Sequence, residues 1–203
     1  MVGPLVVAGV SVSRRGEELL KEIGVRDSKS LSPRRREHLY GEILKVSERV
    51  HWEEIPPGEI DRVVRTGRKY RKLNYLEAQY FARVIDELGA PRVTVDAADA
   101  VPERFGNVIS DHLRKPCAVL SLHRADRNFA EVSAASIVAK VLRDRSIERL
   151  KDGLGDFGSG YPSDPATRVF FSERMRRGAP LPDFARGSWK TWARLQETLD
   201  SAF

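Results

Sequence analysis

Four short runs of apolar and β-branched residues recur along the chain, separated by longer stretches in which apolar positions repeat every three or four residues. The first run, Pro4 to Val12 (PLVVAGVSV), is apolar at nearly every position, the pattern of a strand buried on both faces. Val50-His51-Trp52-Glu53-Glu54-Ile55, closed by Pro56-Pro57, predicts a second strand, Arg92 to Asp96 a third, and Ala118 to Leu122 a fourth.

Helices are predicted between and after these strands. Ser32-Pro33 supplies a cap and a first-turn proline for a helix over Arg34 to Val46, with Leu39, Ile43 and Val46 on one side. Asn74 is the expected cap of the next helix, whose Leu76, Tyr80, Phe81, Val84, Ile85 and Leu88 form one apolar face before Gly89 stops it. Pro102 opens another, with Phe105, Val108, Ile109 and Leu113 inward. A long helix is expected from about Ser133 to Leu150, burying Ile137, Val138, Val141 and Leu142. A glycine-rich break, Gly153 to Gly160, follows. Asp164-Pro165 then starts a helix ending at Gly178, and a last helix runs from Trp189 to about Asp200. Strands alternating with helices predict an α/β fold, a mixed sheet flanked by helices with a small helical C-terminal extension. The boundary is placed at 155: a main domain over 1–155 and the extension over 156–203.

Composition narrows the class. A chain of 203 residues with 41% hydrophobic content can bury one substantial core. Thirty-five Lys and Arg against 29 Asp and Glu give a net charge of +6, which attracts polyanions without identifying one. The excess concentrates between Arg62 and Lys72, where six basic residues surround Tyr70. Such a stretch either neutralises phosphates or is a solvated loop between helices. The single cysteine, Cys117, lies in an apolar run and reads as a small buried thiol. No apolar run approaches the roughly 20 residues that span a bilayer, and the N-terminus has no signal-peptide pattern, so a cytoplasmic protein with no membrane partner is expected.

Two carboxylates stand where chemistry collects in such a fold. Asp96 ends the third strand, and Asp126 follows the fourth in His123-Arg124-Ala125-Asp126. Strand ends of an α/β sheet are where ligand sites form. Alone, each is more often a cap or a surface charge. Together, carboxylates converging on one edge repel, and Mg²⁺ or Mn²⁺, hard cations that prefer oxygen, relieve the repulsion. Paired ions of this kind can activate a water at a phosphodiester and support the leaving oxygen.

Five ordered blocks make a resemblance specific: Val25-Arg26-Asp27-Ser28-Lys29-Ser30-Leu31-Ser32, Val95-Asp96-Ala97-Ala98-Asp99, His123 to Asp126, Ser133-Ala134-Ala135-Ser136-Ile137-Val138-Ala139-Lys140, and Gly158-Ser159-Gly160-Tyr161-Pro162-Ser163-Asp164. Leu73-Asn74 and Ser188-Trp189-Lys190-Thr191 fit further blocks. The chain resembles type II ribonuclease H, of the archaeal kind, over essentially its whole length. The resemblance implies a ribonuclease H-like sheet and a metal-dependent endonuclease, with a two-metal site taking Mn²⁺ or Mg²⁺. Its substrates would be RNA/DNA hybrids and ribonucleotides embedded in DNA, cut to leave a 5′-phosphate and a 3′-hydroxyl, in DNA replication and repair. It implies that Asp96 and Asp126 are catalytic metal ligands and that Tyr161 packs on the sugar and senses the 2′-hydroxyl, the group that separates RNA from DNA. Without the family, Tyr161 would read as a loop aromatic packed on the core. Lys29 and Ser28 would contact a backbone phosphate; for Lys29 the other reading is a surface ion pair with Asp27. Ser133 and Ser136 are further candidates for substrate contact at the start of the long helix, where an N-terminus favours phosphate. Close helix packing already explains the alanines between them.

The family opens with a strand ending in Asp-Glu-Ala-Gly-Arg-Gly, a few residues before Gly-Pro and an apolar strand, whereas here Gly3-Pro4 follows Met1-Val2. Residues 1–203 alone are therefore expected to be inactive and poorly folded, with the missing motif encoded upstream. A lineage that lost the motif would instead be a non-catalytic hybrid-binding protein. At the other end, Gln196-Glu197-Thr198-Leu199-Asp200-Ser201-Ala202-Phe203 resembles a sliding-clamp-binding motif, with Gln196, Leu199 and Phe203 as anchors and Ala202 where an aromatic would stand. The same residues also fit a frayed helix end. A monomer is expected.

Overall fold

The structure, a computed structural model, describes residues 2–25, 31–67 and 73–200, excepting the side chains of 196–200. All four predicted strands form: β1 (Leu5–Ser11), β2 (Arg49–Ile55), β3 (Arg92–Asp96) and β4 (Ala118–Leu122). β1 pairs with β2, and β3 runs parallel to β4, with Val95 opposite Ser121 and Asp96 opposite Leu122. The parallel pair needs a crossover, and α5 (Pro102–His112) provides it. Helices α1 (Arg14–Glu22), α2 (Pro33–Val46), α3 (Pro57–Thr66), α4 (Leu73–Leu88), α6 (Ala130–Lys151), α7 (Pro165–Arg176) and α8 (Lys190–Asp200) complete the described elements.

The chain divides into two compact units. One comprises Val6–Glu54 and Lys69–Leu142; the other comprises Met1–Leu5, Ile55–Arg68 and Arg143–Phe203.

The first unit holds both strand pairs. Leu20 of α1, Leu39 and Ile43 of α2, and Ala134, Ile137, Val138 and Val141 of α6 form one core against the side chains of β1. Ala78, Ala82 and Ile85 of α4, Val95 of β3, and Phe105 and Ile109 of α5 form another, in which Phe81 meets Phe105 edge to face. Apolar faces laid on strands in this way supply the main driving force for such layers. A Cβ on Gly106 would lie 3.1 Å from Ser121 Cβ, so this glycine lets α5 close on β4.

The second unit packs Val2, Ile147, Phe157, Phe171, Ala185 and Trp192 together, with Trp192 edge-on to Phe171 and its indole N–H donating to the Arg186 carbonyl at 2.7 Å. Asp61 of α3 accepts from the Gly187 and Ser188 amides at 2.7 and 3.0 Å and from the Ser188 hydroxyl at 2.7 Å, tying the Ser188-Trp189 block to that helix.

Several expectations change. Val7 is the one buried residue of β1 and its other residues are partly exposed, so the strand is not buried on both faces. Asn74 lies inside α4 and its amide donates to Asp99 at 3.3 Å instead of capping. The long helix starts at Ala130, ahead of Ser133. Arg62 and Arg65 belong to α3, not to a loop, and pair with Glu59 and Asp61 at 3.5 and 3.7 Å; residues 68–72 of that basic stretch lie outside the described residues. Cys117 is half-buried, and burial together with Asp86 pushes its thiol up. Among the described residues no helix is long and apolar enough to cross a membrane.

Candidate functional site

Asp96 is the last residue of β3 and stands half-buried beside the end of β4. The Ala97 amide donates to the Leu122 carbonyl at 2.8 Å, so the parallel pairing continues one residue past the strand end. The chain then turns sharply. Arg124 adopts a left-handed conformation with φ 55°, the one non-glycine residue with positive φ among the described residues. An L-residue is held there at a cost of about 1–2 kcal/mol. The turn leads into a single 3₁₀ turn, Ala125–Arg127, whose first amide donates to Asp96 Oδ1 at 3.1 Å. Asp126 follows on the same turn and is buried, 7% exposed. One carboxylate thus anchors the turn that carries the other.

Asp99, in the same sequence block as Asp96, serves differently. Its carboxylate accepts from the Val101 amide at 2.8 Å and from Asn74, and it pairs with Arg104. Burial alone would raise its pKa, but the hydrogen bonds from Arg104, Val101 and Asn74 and the charge of Arg104 outweigh it and hold the carboxyl below the ordinary range. Its oxygens accept the bonds that close the loop before α5.

The start of α6 carries the two serines. Ser133 is 1% exposed and its hydroxyl has no hydrogen-bond partner among the described residues, whereas Ser136 is half-buried.

In the other unit, Tyr161 sits on a loop fixed at both ends. Gly158 and Gly160 have φ 74° each, a conformation open to glycine. Asp164 accepts from the Ser159 amide at 2.7 Å and from Ala166 at 2.9 Å, capping α7, and these bonds hold its carboxyl below the usual range. The buried Thr167 hydroxyl accepts from the Gly160 amide at 3.0 Å and donates to the Phe157 carbonyl at 2.8 Å. The Arg143 guanidinium lies over the Tyr161 ring, 3.9 Å from its centroid. Arg143 was not singled out in the sequence. Its signal is an arginine four residues before the core residue Ile147, hence at helical spacing on a side that is buried and where a charge needs a partner.

Among the described residues no three His, Cys, Asp or Glu side chains gather as a metal cage. The carboxylate oxygens of Asp96 and Asp126 are nevertheless of the kind that suits a hard divalent cation, so the residues present fit such an ion in chemistry. Lys29 and Ser28 lie outside the described residues, as do Phe203 and the side chains of Gln196 and Leu199.

A parallel strand pair crossed by a helix, a carboxylate closing β3 and layers of helices define an α/β protein. The family model described as ribonuclease HII matches residues 1–192. A protein of Cenarchaeum symbiosum (strain A) named Ribonuclease HII is 49% identical over 197 residues, covering 97% of this chain and 92% of that one. The crystal structure of ribonuclease H2 from Pyrococcus horikoshii OT3 superposes with a TM-score of 0.85 at 36% identity, covering 98% of this chain and 92% of that chain. The ribonuclease HII of a PCNA:RNase HII complex from Archaeoglobus fulgidus gives 0.86 at 40% identity, covering 98% and 93%. The chain belongs to the ribonuclease HII family.

Proposed function

We propose that this protein is a cytoplasmic endonuclease that hydrolyses the RNA strand of RNA/DNA hybrids and cuts at ribonucleotides embedded in DNA, leaving a 5′-phosphate and a 3′-hydroxyl. The observation that carries this reading is the hydrogen bond from Ala125 to Asp96, which ties the carboxylate at the end of β3 to the turn after β4 that carries Asp126, in a chain of this family.

Asp96 and Asp126 would hold Mn²⁺ or Mg²⁺. When bound, such ions lower the pKa of a water and offset charge on a phosphodiester, by a two-metal scheme once further carboxylates join the pair. The protein's own groups do the rest. The anchored turn keeps Asp126 fixed before substrate arrives, which limits reorganisation during reaction. Asp126 is buried, so little of it meets bulk water. Tyr161 offers an amphipathic ring for the sugar and a hydroxyl for the 2′-OH. Ser136 and the start of α6 supply polar donors for phosphate, as would Lys29 and Ser28.

The test is a strand-specific assay of the full-length protein with Mn²⁺ or Mg²⁺ on an RNA/DNA hybrid, the same sequence as DNA duplex, and a duplex with one ribonucleotide. Cleavage of the hybrid and at the ribonucleotide is expected. Cleavage of plain DNA, or no cleavage of any of the three, would refute it.

A sliding clamp is the proposed protein partner, through Gln196, Leu199 and Phe203. Support comes from the Archaeoglobus fulgidus relative, which was solved as a complex with PCNA. A peptide of residues 196–203 should bind the clamp in a calorimetric titration, and a flat titration would remove the proposal.

A further inference from the structure

Arg143 is a buried cation, 6% exposed, on the stretch of α6 that belongs to the second unit. A guanidinium in such a place must be paired on every side that water has left. One edge meets Asp144 Oδ1 at 3.2 Å, and Nη2 donates to the Val2 carbonyl at 3.4 Å. Its flat face is covered by the Tyr161 ring at 3.9 Å. The loop closes on it tightly, since a Cβ on Gly160 would stand 3.2 Å from Arg143 Nη2 and 3.2 Å from Val2 Cβ. Val2 in turn donates its amide to the Gly160 carbonyl at 3.0 Å. The ring of Tyr161 thus rests on a plane held from its own helix by Asp144 and from the N-terminal segment by the Val2 carbonyl.

We propose that Arg143 is a positioning residue that sets the height and tilt of the Tyr161 ring for the sugar it contacts. The proposal rests on the reading of Tyr161 as the ribose-contacting residue. It requires a planar cation: an ammonium in the same place keeps the charge but gives the ring no flat seat, so Arg143→Lys is not a conservative change here. Arg143 touches no substrate in this scheme and acts through the ring.

The test is a double-mutant cycle in the full-length protein, using Arg143→Lys, with Arg143→Gln as a second choice, in Tyr161, Tyr161→Phe and Tyr161→Ala backgrounds. Cleavage at a single ribonucleotide is measured well below each variant's melting midpoint. In the Tyr161 and Tyr161→Phe backgrounds kcat should fall by about tenfold with KM nearly unchanged, and in Tyr161→Ala the same substitution should cost less than about twofold, because contacting residues are not additive. Equal losses in all backgrounds would overturn the proposal and mark Arg143 as a general fold residue. A Tyr161→Ala protein with undiminished cleavage would instead sink the reading of Tyr161, and the proposal with it. A further readout needs no change at Arg143: Tyr161→Ala should melt lower than Tyr161→Phe, and coincident midpoints would count against the contact.

Discussion

The amide of Ala125 donates to Asp96 Oδ1 at 3.1 Å, so the carboxylate at the end of one strand holds the turn that delivers the carboxylate of Asp126 beyond the next. Neither residue is positioned independently. A change that removes the Asp96 oxygen altogether should disturb Asp126 as well, while one that removes only the charge should not.

The left-handed backbone of Arg124 gives a stability prediction. Glycine adopts this conformation freely and a β-branched residue adopts it worst. Arg124→Gly should melt near the unaltered protein or above it, and Arg124→Val should be less stable than Arg124→Gly by about 1–2 kcal/mol in urea titrations. Equal stabilities would show that the turn is not held at φ 55° in solution.

Gly160 combines positive φ with crowding by Arg143, Val2 and Ile147. Gly160→Ala should lose about 1–3 kcal/mol of stability, the scale of a strained left-handed residue. Measured well below its melting transition, it should also cut more slowly at a single ribonucleotide, because the loop carrying Tyr161 must shift. A variant as stable and as active as the parent would contradict the loop geometry.

Asp99 gives the pH dependence. Its carboxyl is held below the ordinary range by hydrogen bonds and by Arg104, against the opposing effect of burial. A carboxyl lowered in the folded state contributes stability that is full above the unfolded value, about 3.9, and is lost as pH falls through the folded value. Asp99→Asn should therefore melt lower than the parent at neutral pH, and the gap should narrow as pH drops through and below that range. A gap constant with pH would assign the loss to packing instead.

Much of this fold was legible in the sequence, for reasons visible in particular elements. β3 and β4 were bounded correctly because each is a short apolar run closed by polar or turn-forming residues. α2 was bounded because Ser32 and Pro33 mark its start, and the Ser32 hydroxyl does accept from Arg35 at 3.2 Å. α1 escaped, since Arg14-Arg15-Gly16 dilutes its apolar pattern to a few positions around Leu19-Leu20, although Ser13 caps it at 3.1 Å. α3 escaped because its basic residues read as a charged loop, while the pairing of Asp61 with Gly187 and Ser188 is a long-range fact that no local pattern contains. Asp96 and Asp126 could be chosen from their places after strands. The distinction between Asp96 and Asp99 could not, because it lies in the partners of Asp99, Asn74 and Arg104. Arg143 was hidden for the same reason, its role being defined by a ring 18 residues further along the chain.

The most direct test of the account is Asp96→Asn in the full-length protein, with hybrid cleavage and hybrid affinity measured together. The amide oxygen of asparagine can still accept from Ala125, so the turn and the melting midpoint should hold while the negative charge is gone. Cleavage should fall by roughly a hundredfold or more, the scale of a lost preorganised electrostatic group, with the dissociation constant for the hybrid unchanged. Turnover close to that of the unaltered protein would contradict the assignment of Asp96 to the catalytic site.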